Sequence, residues 1–188
     1  MNFYDTNANY PDDIGPAAAA YPDARIIVYH SALFAGSGSA SQAPPEGPFD
    51  PIDPHPLGVN ALIKSVLDAG LTPGPKMNVY GETGGYSSIM TDLTQSQHFF
   101  GKLMKYLGTD NVCWGTNGPV DPVQPQIDAF RALEIPPSMQ DQFGYPPLGP
   151  STPEGRANQD KILGLNAARV YGVDPEARRC SVSSCPTG

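Results

Sequence analysis

Three short apolar runs, each followed by a segment with helical periodicity, constrain the fold of this chain more than any other feature. The runs are Arg25–Tyr29, Met77–Tyr80 and Asn111–Trp114. They have the length of strands, and the first is rich in β-branched residues. The first helical segment carries apolar residues at one helix face, namely Val59, Leu62, Ile63, Val66 and Leu67. Strands that alternate with helices predict an α/β fold with a parallel sheet and right-handed crossovers.

Start and stop signals predict one helix before the first run, one between the first and second runs, and one between the second and third runs. Asp12 or Asp13 is expected to cap a helix through Tyr21, ahead of the first strand. Gly70 should end the helix that follows the first strand. A long helix over Asp92–Leu107 precedes the third strand.

Further helices follow the third strand. One should contain Ile127 and Leu133 and end at Pro136-Pro137. Thr152, with Pro153 next to it, is expected to cap another helix that Gly164 breaks. Asn166 should then cap a last short helix.

The composition predicts one domain with long irregular connections. The chain has 188 residues, with 22 Pro and 20 Gly, and loops are expected over 36–56 and 138–151. We place the domain at residues 1–175 and expect residues 176–188 to form a disordered tail.

Charge and hydropathy exclude several classes of partner. A net charge of −8 leaves no basic stripe for phosphates, so no nucleic-acid partner is expected. No apolar run approaches membrane-spanning length, and residues 1–5 lack a signal-peptide start, so we expect a cytoplasmic protein without a membrane partner. Cys113 is expected to pack inside a strand, while the sequence leaves open whether Cys180 and Cys185 pair.

Each predicted strand ends in a polar residue that could do chemistry: His30, Glu82 or Asn117. The carboxyl ends of parallel strands meet at one edge of a sheet, so these side chains should lie close together. Imidazole and carboxylate groups bind metals or transfer protons. Taken singly, His30 could be a hydrogen-bonded structural residue, Glu82 a solvated carboxylate and Asn117 a turn residue.

His55, in a proline-rich loop, and His98, inside a predicted helix, are weaker candidates for chemistry. The chain has no phosphate-binding loop, no dinucleotide fingerprint and no His-Glu-x-x-His motif.

Four motifs resemble a known family. They are RIIVYHSA at 25–32, NVYGETG at 78–84, NVCWGTN at 111–117 and ILGLNAARVYGV at 162–173. In order and spacing they are similar to the closing half of amidohydrolase-related metal-dependent hydrolases, a family that includes nonoxidative decarboxylases of the aminocarboxymuconate semialdehyde type. The resemblance covers most of Asp12–Pro175.

The resemblance implies a (β/α)₈ TIM barrel of which this chain forms a part. The three strands would be the sixth, seventh and eighth, each with its helix, followed by C-terminal helices. His30 would be the histidine after the sixth strand, and Asn117 stands where the family has an Asp after the last strand. Both would be catalytic and metal-facing positions, with Glu82, Ser31 and Thr116 as supporting or substrate-contacting groups. The implied cofactor is a divalent metal, zinc first, and the implied partner is a small-molecule substrate of amide, lactone or carboxylate type.

Two departures from the family predict an impaired enzyme. The chain has no His-x-His pair and no strands for the first five barrel positions, whereas a whole barrel takes about 250 residues. Asn117 replaces the Asp, and a neutral amide cannot accept a proton from an attacking water at neutral pH. We therefore expect a fragment that holds no stoichiometric metal by itself.

Assembly with other chains follows from the same reasoning. Three strands cannot close a barrel, so two open sheet edges predict self-association or pairing with a complementing chain. The alternative to an enzyme is a noncatalytic α/β module that binds another chain through its sheet edge.

Overall fold

The computed structural model describes residues 11–33, 45–74, 76–118 and 122–177. Its strands are β1 (Ile26–Val28), β2 (Val79–Glu82) and β3 (Val112–Cys113). They form an open sheet in the order β1-β2-β3, and both pairs of neighbours are parallel. The predicted α/β class, strand order and direction are confirmed.

The described part of the chain also contains seven α-helices. They are α1 (Ile14–Ala20), α2 (Val59–Asp68), α3 (Leu93–Tyr106), α4 (Val123–Ala132), α5 (Pro137–Phe143), α6 (Pro153–Asp160) and α7 (Asn166–Tyr171). The π-helical stretch Lys161–Leu165 joins α6 to α7. Short 3₁₀ turns cover Pro11–Asp13 and Gly84–Ser88.

The hydrophobic core lies on one face of the sheet. Val28, Val79 and Val112 are buried there, and the predicted apolar faces of α2 and α3 pack in the same cluster. These helix residues are Val59, Leu62, Ile63, Val66, Phe99, Phe100, Leu103 and Met104. Since all of them are at most 1% exposed, the helical periodicity of the sequence correctly identified the core.

The opposite face of the sheet is smaller and only partly covered. Tyr80 and Cys113 are buried there against Val170 of α7, and the Arg169 guanidinium lies 6.0 Å from the centre of the Tyr80 ring. Ile27, on the same face in β1, remains 37% exposed. The C-terminal helix therefore shields the β2–β3 half of this face and leaves the β1 half open.

The start of α1 differs from the predicted cap. Asp13 occupies the N-cap position, but its side chain makes no capping hydrogen bond. Instead, the Ser65 hydroxyl of α2 accepts a hydrogen bond from Gly15 N at 2.9 Å and donates to the Asp12 carbonyl. A neighbouring helix thus supplies the cap. The predicted cap Thr152 does accept a backbone hydrogen bond, from Gly155 N, and Asp92 caps α3 by accepting one from Gln95 N.

Helix α5 corrects the predicted loop over 138–151. Pro137 does not end a helix; it occupies the first turn of a new one, where its missing N–H costs nothing. Gly144, in a left-handed conformation, closes that helix.

The predicted break at Gly164 and cap at Asn166 are also wrong. The helix continues through the π-helical stretch, and Asn166 lies inside it with helical backbone angles. Its side chain is 2% exposed and donates to the carbonyls of Thr109 and Val112 at 2.9 and 2.7 Å. Trp114 N also donates to the Ile162 carbonyl at 2.9 Å.

These bonds cover the outer edge of β3. The expectation of two open edges is therefore wrong for β3, while β1, at the other edge of the sheet, has no further strand beside it among the described residues. In that part of the chain, no helix is both long and apolar enough to cross a membrane.

Candidate functional site

The three predicted polar residues lie at the carboxyl ends of parallel strands, as their sequence positions required. His30 follows β1, Glu82 is the last residue of β2, and Asn117 follows β3. Together with Ser31 and Thr116 they form what we call the strand-end cluster.

Backbone strain in the described chain is concentrated in this cluster and the residue that follows Ser31. The non-glycine residues with positive φ are His30 (53°), Ser31 (52°), Ala32 (56°) and Asn117 (51°). Each such conformation costs about 1–3 kcal/mol and persists only where surrounding contacts impose it. Such residues cluster at functional sites, so their position supports a site at these strand ends.

Contacts from Glu82 help to impose the strained backbone of His30 and Ser31. Its Oε2 accepts a hydrogen bond from His30 N at 2.8 Å, and its carbonyl accepts one from the Ser31 hydroxyl at 2.8 Å. Hydrogen bonds to a charged group contribute about 1.5–3 kcal/mol. Glu82 therefore stabilises the left-handed turn that carries the imidazole. It is a supporting residue and not simply a solvated carboxylate.

Two glycines make room for the Glu82 carboxylate. A Cβ built on Gly115 would lie 1.3 Å from Glu82 Oε1, and one built on Gly84 would lie 2.8 Å from the same atom. The Gly84 position is equally close to the His30 ring, at 2.9 Å from Nε2. Only residues without a side chain fit at 84 and 115 while Glu82 holds its place.

The His30 imidazole contains an unpaired nitrogen. Its Nε2 is buried and has no hydrogen-bond partner among the described residues. A buried polar atom without a partner costs about 1–3 kcal/mol and calls for an explanation such as a bound ligand or a catalytic role. His30 is therefore the member of the cluster with the strongest structural signal.

Asn117 and Thr116 form a turn after β3. The Thr116 hydroxyl accepts a long hydrogen bond from Gly118 N at 3.4 Å, and its carbonyl accepts one from the buried Gln126 side chain at 3.0 Å. The left-handed conformation of Asn117 is one that Asn tolerates well. Turn geometry alone therefore accounts for an Asn here, as the sequence had allowed.

Sequence reasoning missed Tyr29. Its ring stacks on His30, with ring centres 3.7 Å apart and planes 23° apart, and its hydroxyl donates to Asn117 Oδ1 at 3.2 Å. The only sequence signal was its place beside His30, just after the strand.

The other histidines lie elsewhere. His55 is exposed in the loop before α2. His98 is buried in α3 and hydrogen-bonded to the Tyr145 hydroxyl at 2.9 Å, and burial, with a smaller contribution from Lys102, lowers its pKa. Burial raises the pKa of the Cys113 thiol to about 11, so this cysteine packs as an unreactive thiol. Cys180 and Cys185 lie outside the described residues.

The strand-end cluster offers few donors for a metal ion. The unpaired His30 Nε2 has the chemistry of a ligand, but Asn117 Oδ1 already accepts the Tyr29 hydroxyl. Across residues 11–33, 45–74, 76–118 and 122–177, no three His, Cys, Asp or Glu side chains converge as a metal site requires. The described residues therefore do not form a metal site by themselves.

A separate cleft of about 820 Å³ lies between α1, α2 and the loop before α2. Residues of α2 and His55 line it, and no member of the strand-end cluster does. It belongs to the helical layer rather than to the strand ends.

Comparison with protein families identifies the class. The model of the amidohydrolase family matches residues 76–173, just over half of the chain. The match contains Glu82, Thr116 and Asn117, while His30 and Ser31 precede it. This chain belongs to the amidohydrolase family. Neither the search of curated proteins nor that of solved structures gave a match.

Proposed function

We propose that this chain forms the last three strand–helix units of a metal-dependent amidohydrolase barrel and carries one side of its active site. The reaction would be hydrolysis of an amide or lactone, or loss of carbon dioxide from a carboxylated substrate. The strained, half-buried His30, whose buried Nε2 has no hydrogen-bond partner among the described residues, lies at the carboxyl end of a parallel strand in a member of this family, and this observation carries the proposal.

Each residue of the cluster has a role in this proposal. His30 faces the reacting atoms and holds or transfers a proton at Nε2. Glu82 and Ser31 keep the turn that presents the imidazole. Thr116 shapes the turn that carries Asn117. A divalent metal, zinc first, would supply Lewis-acid chemistry once donors outside the described residues complete its site.

Asn117 explains why the activity of this chain should be low. An amide oxygen is uncharged, so it binds a metal less strongly than a carboxylate and cannot serve as a general base at neutral pH. The position after the last strand is where the resemblance places an Asp. We therefore propose that Asn117 is a vestigial member of the site.

The test restores the carboxylate in an assembled barrel. The front half of an intact amidohydrolase is supplied by fusion or as a separate chain, and turnover is measured on amides, lactones and aromatic carboxylates. Asn117→Asp should raise turnover by about 10²–10⁴-fold, the usual worth of general-base catalysis. Adding His30→Ala should abolish the gain.

Equal activity with Asn and with Asp at this position would show that residue 117 takes no part in proton transfer. A gain that survives His30→Ala would remove His30 from the site. Metal titration of the same two assembled proteins gives a second readout, because the carboxylate should also tighten zinc binding.

A noncatalytic module that binds another chain is the second candidate. It is favoured by the outer edge of β1, on which no further strand pairs among the described residues, and by the exposure of Ile27 in that strand. A stable stoichiometric complex, with no turnover after assembly with any front half, would support this alternative.

A further inference from the structure

Tyr29 links two strands that are not neighbours in the sheet. It follows β1, and its hydroxyl reaches Asn117 after β3, although β2 lies between these strands. The same ring stacks on His30. One side chain thus contacts both residues that carry the candidate chemistry.

This arrangement is unusual for a side chain on the surface. Tyr29 is 70% exposed, and an exposed side chain gains little from burial to offset the loss of its rotamer freedom. Tyr171 is equally exposed at 70%, and the described residues offer its side chain neither a ring partner nor a hydrogen bond. The two contacts, rather than burial, therefore hold the Tyr29 ring in place.

We propose that Tyr29 is a positioning residue of the strand-end site, an inference that rests on the proposed function. Stacking holds the plane of the His30 imidazole, so that Nε2 stays buried against Gly84. The phenol hydroxyl sets the orientation of the Asn117 amide by donating to its Oδ1. The ring is the mechanical connection between the ends of β1 and β3.

Each contact can be removed separately. Tyr29→Phe keeps the ring and loses the hydroxyl, whereas Tyr29→Leu loses both. Tyr171→Phe and Tyr171→Leu are matched controls, because they change an equally exposed tyrosine away from the cluster. Since Tyr29 is exposed, the fold should survive, and unchanged signals from the buried His98–Tyr145 pair verify this in every variant.

Nuclear magnetic resonance on the full chain reads both contacts. Tyr29→Phe should shift the Asn117 side-chain amide signals and leave the His30 ring protons near their original positions. Tyr29→Leu should also remove the upfield shift that a stacked ring imposes on the His30 protons. If neither set of signals moves beyond the change seen in the Tyr171 controls, the positioning role is refuted.

Reaction with diethyl pyrocarbonate, followed by peptide mass spectrometry, measures access to the imidazole. Exposed His55 should react fast and buried His98 slowly, so both serve as internal standards. His30 should react more slowly than His55 in the wild-type chain and several-fold faster in Tyr29→Leu. An unchanged His30 rate in that variant would overturn the proposal.

These readouts need neither metal nor substrate, so the two proposals fail independently. If Tyr29 positions His30 but Asn117→Asp leaves the turnover of the assembled barrel unchanged, the proposed function is refuted and the positioning role of Tyr29 stands. If the assembled barrel responds to Asn117→Asp but the Tyr29 variants alter neither signals nor rates, only the inference about Tyr29 falls.

Discussion

At the scale of single residues, Gly115 shows how little space surrounds the candidate site. A Cβ at this position would overlap Glu82 Oε1 at 1.3 Å, so Gly115→Ala must displace the carboxylate that holds the His30 turn. Overpacking of this kind typically costs about 1–3 kcal/mol. We expect the free energy of unfolding, measured in urea, to fall by that amount.

Gly164 provides the matched control for this substitution. It lies in the π-helical stretch, and a Cβ added there would have no atom within 4 Å. Gly164→Ala should change stability by less than about 1 kcal/mol, in the stabilising direction, because Ala favours helix. Equal effects of the two substitutions would mean that the Glu82 carboxylate moves without cost.

His98 is the residue from which we expect a pH dependence of stability. Burial, and less strongly Lys102, lowers its pKa in the folded state below the ordinary value near 6.5. The unfolded chain therefore binds a proton at a higher pH than the folded chain does. Its contribution to stability is complete above about pH 6.5 and is lost as the pH falls through and below that value.

Urea unfolding at pH 7.5 and pH 5.5 checks this expectation. The free energy of unfolding should be lower at pH 5.5 for the wild-type chain. His98→Gln, which keeps a polar group near the Tyr145 hydroxyl but does not titrate, should show a smaller difference between the two pH values. A difference of the same size in both proteins would assign the effect to other groups.

At the scale of elements, Asn166 connects α7 to β3. Its side-chain Nδ2 satisfies the carbonyls of Thr109 and Val112 inside the protein. Asn166→Asp changes one atom, removes both donated bonds and places a carboxylate beside two carbonyl oxygens. Leaving buried acceptors without partners costs about 1–3 kcal/mol.

Thermal unfolding should therefore show a clear loss of stability for Asn166→Asp. Gln142→Glu makes the same chemical change at an exposed position of α5 and should leave the transition almost unmoved. A small effect at Asn166 would indicate that the C-terminal helix is not essential for the edge of β3.

At the scale of the whole molecule, we expect the outer edge of β1 to determine how the chain associates. Unpaired strand edges recruit further strands, and the segment 161–166 already covers the edge of β3. With one open edge, association should stop at a dimer or a complex with one complementing chain. Light scattering on size-exclusion fractions should show a concentration-dependent dimer.

Ile27→Pro tests that edge. Ile26 N is bonded to Asn78 O on the β2 side, so the alternating N–H of Ile27 points to the outer edge, where a proline removes one donor without touching the ladder. The variant should remain monomeric at concentrations where the wild type dimerises. Wild-type chain that stays monomeric throughout would contradict the expectation.

The local sequence pattern was sufficient to predict the fold class and the main strands and helices of this molecule. The spacing of apolar residues identified the core residues of α2 and α3 and the three parallel strands. Residues close together in the sequence are sufficient for this, because their apolar pattern shows which helix face or which strand is buried. The motifs at 78–84, 111–117 and 162–173 were sufficient for the amidohydrolase family, which the match over 76–173 confirms. The same alternation placed His30, Glu82 and Asn117 on one edge.

Contacts between distant segments determined the rest. The left-handed turn after β1 depends on Glu82, which lies 52 residues away, and the cap of α1 comes from Ser65 on another helix. Asn166, expected to cap a helix, instead donates hydrogen bonds to carbonyls of the β3 region. The role of each polar side chain thus depends on groups that meet only after folding. The periodic spacing of apolar residues, which specifies the sheet and the helices, is by contrast a property of the sequence itself.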